Sequence, residues 1–174
     1  IHNKKNTLAK NFSQKIFKGS VYDRNDVIKI CKTLKKQKII IDDIICRTTG
    51  PSILSASYVS NFFDINRISI RLAKCIYSKS HFSKILKKNN IPFIANRSLE
   101  IENNIYLKGD WVLKPDAPLL GKKFVYFLND TFIPKDKFKL VTDNSDNKKA
   151  CLSKFISGLD INAIFFIEKR RKII

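Results

Sequence analysis

Lys114 closes the apolar run Trp111-Val-Leu-Lys114 and leads directly into Pro115-Asp-Ala-Pro-Leu-Leu-Gly-Lys122. A lysine at the end of a strand can point into a site that the following loop covers. Such a loop can present backbone N–H groups to phosphate oxygens while the ammonium acts as a point charge. Gly121 is the only glycine in the loop. By residue type alone the phosphate signal is weak, and a lysine in such a segment is more often a surface residue of a β-hairpin.

Other chemistry is sparse. His2 and His81 are the only histidines, leaving little room for a Ser-His-Asp triad or a His-rich zinc site. His81 reads as a helix-surface residue. Cys31, Cys46, Cys75 and Cys151 lack CxxC spacing and sit among apolar neighbours. Reduced core thiols in a cytosolic compartment are expected.

The elements that would position Lys114 follow from periodicity. Val27, Ile30, Cys31 and Leu34 recur at helical spacing, with Asp26 or Asn25 as the expected N-cap. Ile39 to Arg47 is short and β-branched, which suits a buried strand. The turn Thr48-Thr-Gly-Pro-Ser52 feeds a helix carrying Ile53, Ala56, Val59 and Phe63. That strand–turn–helix unit belongs to an α/β fold. Two more helices are expected over roughly 69–77 and 80–88, the second stopped before Pro92. Phe62, Phe63 and Phe82 lie at helical spacing and are expected in the core. From there the period changes. Residues 111–114, 123–128, 152–156 and 160–167 read as strands, so the C-terminal part is α+β.

Charge is informative mainly by what it does not prove. The chain carries 34 Lys+Arg against 15 Asp+Glu, a net charge of +19. Lys occurs 27 times, Ile 26 and Asn 15, the joint enrichment that an AT-rich coding sequence produces. Residues 1–90 hold 19 of the basic residues and only 5 of the acidic ones. A solvated surface is favoured over a nucleic-acid patch, although such a partner stays possible. No run approaches the roughly 18 apolar residues that a membrane span needs. The chain starts at Ile1 and has no Met, so a fragment of a longer protein is expected.

Taken in order, several segments resemble the ATP-grasp superfamily of ligases, in the form seen in glycinamide ribonucleotide synthetase and the carbamoyl-phosphate synthetase large chain. Tyr77-Ser-Lys79 with Phe82, Ile85-Leu86 and Asn90-Ile-Pro92 is similar to the family's entry into its nucleotide domain. Val112-Leu-Lys-Pro-Asp116 through Gly121-Lys-Lys-Phe-Val125 resembles the lysine strand and phosphate loop. Cys151-Leu-Ser-Lys-Phe-Ile-Ser-Gly-Leu-Asp-Ile161 resembles the hinge strand along the adenine. The resemblance covers roughly residues 40–168.

It implies a partial Rossmann-like domain over 1–68, a helical connection over 69–92 and the first portion of an ATP-grasp domain over 93–174. Lys79, Lys114, Gly121 and Lys122 would meet the ATP phosphates. Ser153 occupies the hinge, backbone groups of Lys154 and Phe155 would bind the adenine edge, and Asp160 the ribose. The implied activity is ATP-dependent activation of a carboxylate as an acyl phosphate for attack by an amine, in the cytoplasm, on small-molecule substrates. Three departures stand out. Ser153-Lys154 stands where the hinge often carries Glu-Glu or Glu-Lys, and Pro118-Leu-Leu where the family is usually richer in glycine. After Asp160 only Asn162 and Glu168 offer oxygen ligands. Mg²⁺ ligands are therefore expected downstream of this chain and none within it, so the chain would at best bind nucleotide weakly and would not catalyse. Two other readings remain, a basic nucleic-acid-binding module and a degenerate, non-catalytic ATP-grasp relative.

Overall fold

The computed structural model describes residues 13–46, 50–65, 68–100, 105–121 and 123–159. Four helices come first: α1 (Arg24–Lys36), α2 (Ser52–Phe62), α3 (Ile70–Tyr77) and α4 (Lys79–Lys88). Helix α1 buries Val27 and Cys31, as its periodicity requires. Its N-cap is Asp23 rather than Asp26 or Asn25, because the Asp23 carboxylate accepts the Asn25 N–H at 2.8 Å. Asp26 instead accepts the Ser20 N–H at 2.9 Å and tethers the incoming chain.

Helices α3 and α4 each begin on a serine cap. Ser69 accepts the Leu72 N–H and Ser78 accepts the His81 N–H, both at 3.2 Å. Ser78 has extended backbone angles and is the single residue between the two helices. The chain therefore turns sharply there, and Lys79 becomes the first residue of α4.

The strand expected from Ile39 is not formed over residues 39–46. These residues have no regular structure, and Ile40 and Ile45 are 83% and 81% exposed. β-branched composition makes a strand only where a neighbour supplies backbone partners. Among the described residues, the sheet is built from later strands alone.

That sheet comprises β1 (Asn96–Leu99), β2 (Tyr106–Pro115), β3 (Tyr126–Phe132) and β4 (Ala150–Lys154), with α5 (Lys135–Asp143) between the last two. The spatial order is β1-β4-β2-β3 and every pairing is antiparallel. Helices and an antiparallel sheet mixed along one chain give the α/β class, with the α+β character expected of the C-terminal part. The strand expected from Lys123 starts only at Tyr126, because Phe124 has a positive φ of 58°. The next is shifted two residues earlier, to Ala150. The strand expected over 160–167 lies outside the described residues.

Register decides which side chains share a face. Leu113 lies opposite Leu152 on one side and Tyr126 on the other. Leu113, Leu128 and Leu152 pack with Phe138 and Val141 of α5 into the core. The alternate residues Val112 and Lys114 of β2, Phe127 of β3 and Cys151 and Ser153 of β4 occupy the opposite face. Helix α4 reaches that face at β1, where Asn96 Nδ2 donates to Ser83 Oγ at 2.8 Å.

Candidate functional site

Lys114 occupies the next-to-last position of β2 and is half-buried on the face away from α5. Its Nζ donates to Ser153 Oγ at 3.1 Å. Lys79 enters from the start of α4, and its Nζ donates to the Pro115 carbonyl at 2.8 Å. Burial pushes the Lys79 ammonium below the ordinary lysine range, and the Lys114 charge pushes in the same direction. Among the described residues, neither lysine has a carboxylate within salt-bridge distance. Two cations that repel one another in a half-buried place create a demand for anionic charge.

A cavity of about 330 Å³ opens between them, lined by Tyr77, Lys79, Lys114, Pro118 and Gly121. The structure thus brings Lys79, Lys114 and Gly121 together. Ser153 lies beside them through its hydrogen bond to Lys114. Lys122 and Asp160 lie outside the described residues.

The loop after β2 has two unlike halves. In the first, the Ala117 N–H donates to Ser145 Oγ at 3.1 Å, and the Leu119 N–H to the Asn144 carbonyl at 3.1 Å. The Tyr77 hydroxyl donates to the Pro118 carbonyl at 2.9 Å, and its pKa is raised to about 12 by burial and then by the Asp146 charge. In the second half, Leu120 and Val125 are exposed, and Gly121 sits at φ +62°. An L side chain at Gly121 would meet open space but a strained backbone. The loop is anchored at its start by the hydrogen bonds of its first half.

The hinge residues divide by face. Ser153 is buried on the Lys114 side. The Lys154 ammonium lies 4.2 Å from the Trp111 ring centroid and donates to the Lys108 carbonyl. The Phe155 N–H donates to the Asp110 carbonyl at 3.0 Å, extending the sheet by one bond. The Phe155 ring stands edge-on to Phe127 at 5.1 Å. Val112 and exposed Phe127 complete an apolar plate next to Lys114, and the sequence reading passed over both. Val112 was findable, being two residues before Lys114 on a period-two element.

Other expectations need correction. Cys31 and Cys151 are buried, but Cys46 is exposed and Cys75 half-buried, since each lies on a segment with one open side. Phe82 is 39% exposed rather than in the core, because α4 turns Ser83 inward instead. His81 is exposed, as expected, with Nε2 at 3.7 Å from Cys75 Sγ. Phe62 carries the Lys35 ammonium 5.4 Å from its ring centroid. No helix among the described residues is long and apolar enough to cross a membrane.

The described residues do not fit a bound Mg²⁺ ion. None of their His, Cys, Asp and Glu side chains gather in threes. The buried carboxylate of Asp116 is turned onto protein donors instead of into the cavity.

No known family profile matches the chain, and no curated protein does. Among solved structures, it is similar to D-alanine–D-alanine ligase from Helicobacter pylori, with 16% identity and a TM-score of 0.42 over 60% of this chain and 33% of that one. It is also similar to phosphoribosylglycinamide synthetase from Anaerococcus prevotii, with 14% identity and a TM-score of 0.48 over 85% of this chain and 36% of that one. The chain spans about a third of the length of each.

Proposed function

We propose that the chain is the nucleotide-binding portion of an ATP-dependent ligase of the ATP-grasp type. The observation that carries this reading is the pairing of Lys79 and Lys114 around one cavity, without a carboxylate partner among the described residues. Two ammonium groups there offset the charge of a polyphosphate, and a half-buried setting strengthens that attraction. Gly121 and Lys122 then belong to a loop tip that folds over the phosphates and excludes water.

The apolar plate of Val112, Phe127 and Phe155 suits the flat face of an adenine. Lys154 contributes its backbone carbonyl. Because the Phe155 N–H is engaged by Asp110, the Ile156 N–H becomes the adenine's donor, and Phe155 acts through its ring. Asp160 is assigned to the ribose. Ser153, standing at the hinge, holds the Lys114 ammonium and leaves the adenine amino group without a carboxylate acceptor.

A ligase of this class transfers the γ-phosphoryl group to a carboxylate, and an amine then displaces phosphate from the acyl phosphate. This chain binds and orients the nucleotide for that sequence. On this reading, 1–68 is part of a Rossmann-like domain, 69–92 a helical connection and 93–174 the first portion of the ATP-grasp domain. The setting is cytoplasmic and the substrates are small molecules, as in a carbamoyl-phosphate synthetase-like enzyme.

Photolabelling with 8-azido-ATP, followed by peptide mapping, tests the placement. Label that unlabelled ATP suppresses is expected on peptides of β2, β3 and the 153–156 hinge. Suppressible label confined to α1 or α2 would overturn it.

A further inference from the structure

We infer that Asp116 is the positioning residue of this phosphate site, fixing Lys79 from a separate element; the inference rests on the nucleotide reading above. Asp116 immediately follows β2 and is fully buried. Its Oδ2 accepts from Ser78 Oγ at 2.6 Å and from Asn147 Nδ2 at 2.7 Å. Its Oδ1 accepts the Ser80 N–H at 2.7 Å. The Asp116 carbonyl accepts the Lys79 N–H at 3.0 Å. Three consecutive residues, Ser78 to Ser80, are therefore all held by Asp116.

A buried carboxylate is tolerated only when donors satisfy it. Each of its three side-chain bonds comes from a neutral group, so the negative charge is not absorbed in a contact ion pair. That charge also favours the protonated form of Lys79, partly offsetting burial. The capping hydroxyl works in series. Ser78 Oγ donates to Asp116 and accepts the His81 N–H, so Asp116 orients the group that starts α4. Lys79 is the first residue of that helix, and Lys114 is two residues before Asp116 on β2. One carboxylate thereby sets the mutual placement of two cations that are far apart in sequence.

Asn147 supplies a specific test, because it faces Asp116 with its amide nitrogen while its Oδ1 accepts from Ser145 Oγ at 2.8 Å and the Lys149 N–H at 3.2 Å. Asp116→Asn sets two amide nitrogens against each other. Adding Asn147→Asp restores a donor facing an acceptor and keeps the other bonds of residue 147.

Isotope-coded reductive methylation of the full chain, read by mass spectrometry, reports the freedom of each lysine without any ligand. In Asp116→Asn, Lys79 is expected to label several times faster while Lys114 is unchanged, and the exchanged pair is expected to return Lys79 to its original rate. Ser78→Ala removes the hydroxyl that links Asp116 to the start of α4 while leaving the carboxylate in place, and serves if Asp116→Asn does not fold. Unchanged Lys79 labelling in a folded variant would overturn the role. So would faster labelling at every half-buried lysine alike, the mark of general loosening, or an exchanged pair that folds without recovering. Titration with tripolyphosphate keeps the two readings separate. If the unaltered chain binds none, the phosphate assignment falls, while the labelling still decides whether Asp116 positions Lys79.

Discussion

Lys114 Nζ donates to Ser153 Oγ across the β2–β4 pairing at 3.1 Å, on the sheet face opposite α5. A neutral hydroxyl thus holds the ammonium in place and leaves its positive charge uncompensated. A carboxylate at residue 153 would fix the lysine equally well, but would also partly neutralise it. We therefore predict that Ser153→Glu weakens tripolyphosphate binding roughly tenfold while Ser153→Ala has a smaller effect, since charge-assisted contacts are worth about 1.5–3 kcal/mol. Calorimetric titration of the two variants measures the difference.

Binding should also carry a proton signature. Lys79 titrates below the ordinary lysine range because burial, and then the Lys114 charge, disfavour its ammonium form. A polyanion favours that form, so bound ligand raises the Lys79 pKa. Affinity is then complete below the lowered pKa and falls as pH rises through it, before the roughly 10.4 of a free lysine. Removing this earliest fall with Lys79→Ala, in titrations from neutral to alkaline pH, is the expected outcome. An unchanged profile would place the titrating group elsewhere.

Acid stability should depend on Asp116. Burial opposes its ionisation, but donation from Ser78, Ser80 and Asn147 outweighs that and holds the carboxyl below the usual range. Its contribution to stability is therefore complete above the unfolded value of about 3.9 and is lost as pH falls through the lower folded value. Asp116→Ala orphans the Ser80 N–H and the Asn147 amide, at a cost of about 3 kcal/mol near neutrality. Urea unfolding at several pH values should show the variant losing less stability than the unaltered chain across that acid window.

Thiol reactivity provides an independent check of the packing. Cys46 is exposed, whereas Cys151 is buried and its thiol is pushed up to about 12, mainly by burial. Cys46 should react first with a disulfide reagent and Cys75 more slowly, with Cys31 and Cys151 reacting only on unfolding. Rapid modification of Cys151 under native conditions would contradict the placement of β4.

Much of this arrangement was legible in the sequence, and the misses have physical causes. The run ending at Lys114 and the helix pair expected over roughly 69–77 and 80–88 declared themselves through period, whereas their caps, Ser69 and Ser78, were not read from the sequence. By contrast, β1 buries only Leu99, and α5 buries only Phe138 and Val141, so neither carries a strong periodic signal. Ile39 to Cys46 has strand composition, yet no strand forms, because pairing depends on neighbours that composition does not report. The grip of Asp116 on residues 78–80 was invisible for a similar reason. It joins segments far apart in sequence through one buried carboxylate, and no local pattern encodes that approach.

The most direct measurement is calorimetric titration of the chain with ATP, repeated on Lys114→Ala and Lys79→Ala. Saturable binding to the unaltered chain, weakened roughly tenfold or more by each substitution, is the predicted result for two cations sharing one polyphosphate. Binding unaffected by both substitutions, or no binding by the folded chain, would contradict the assignment of this cavity to ATP.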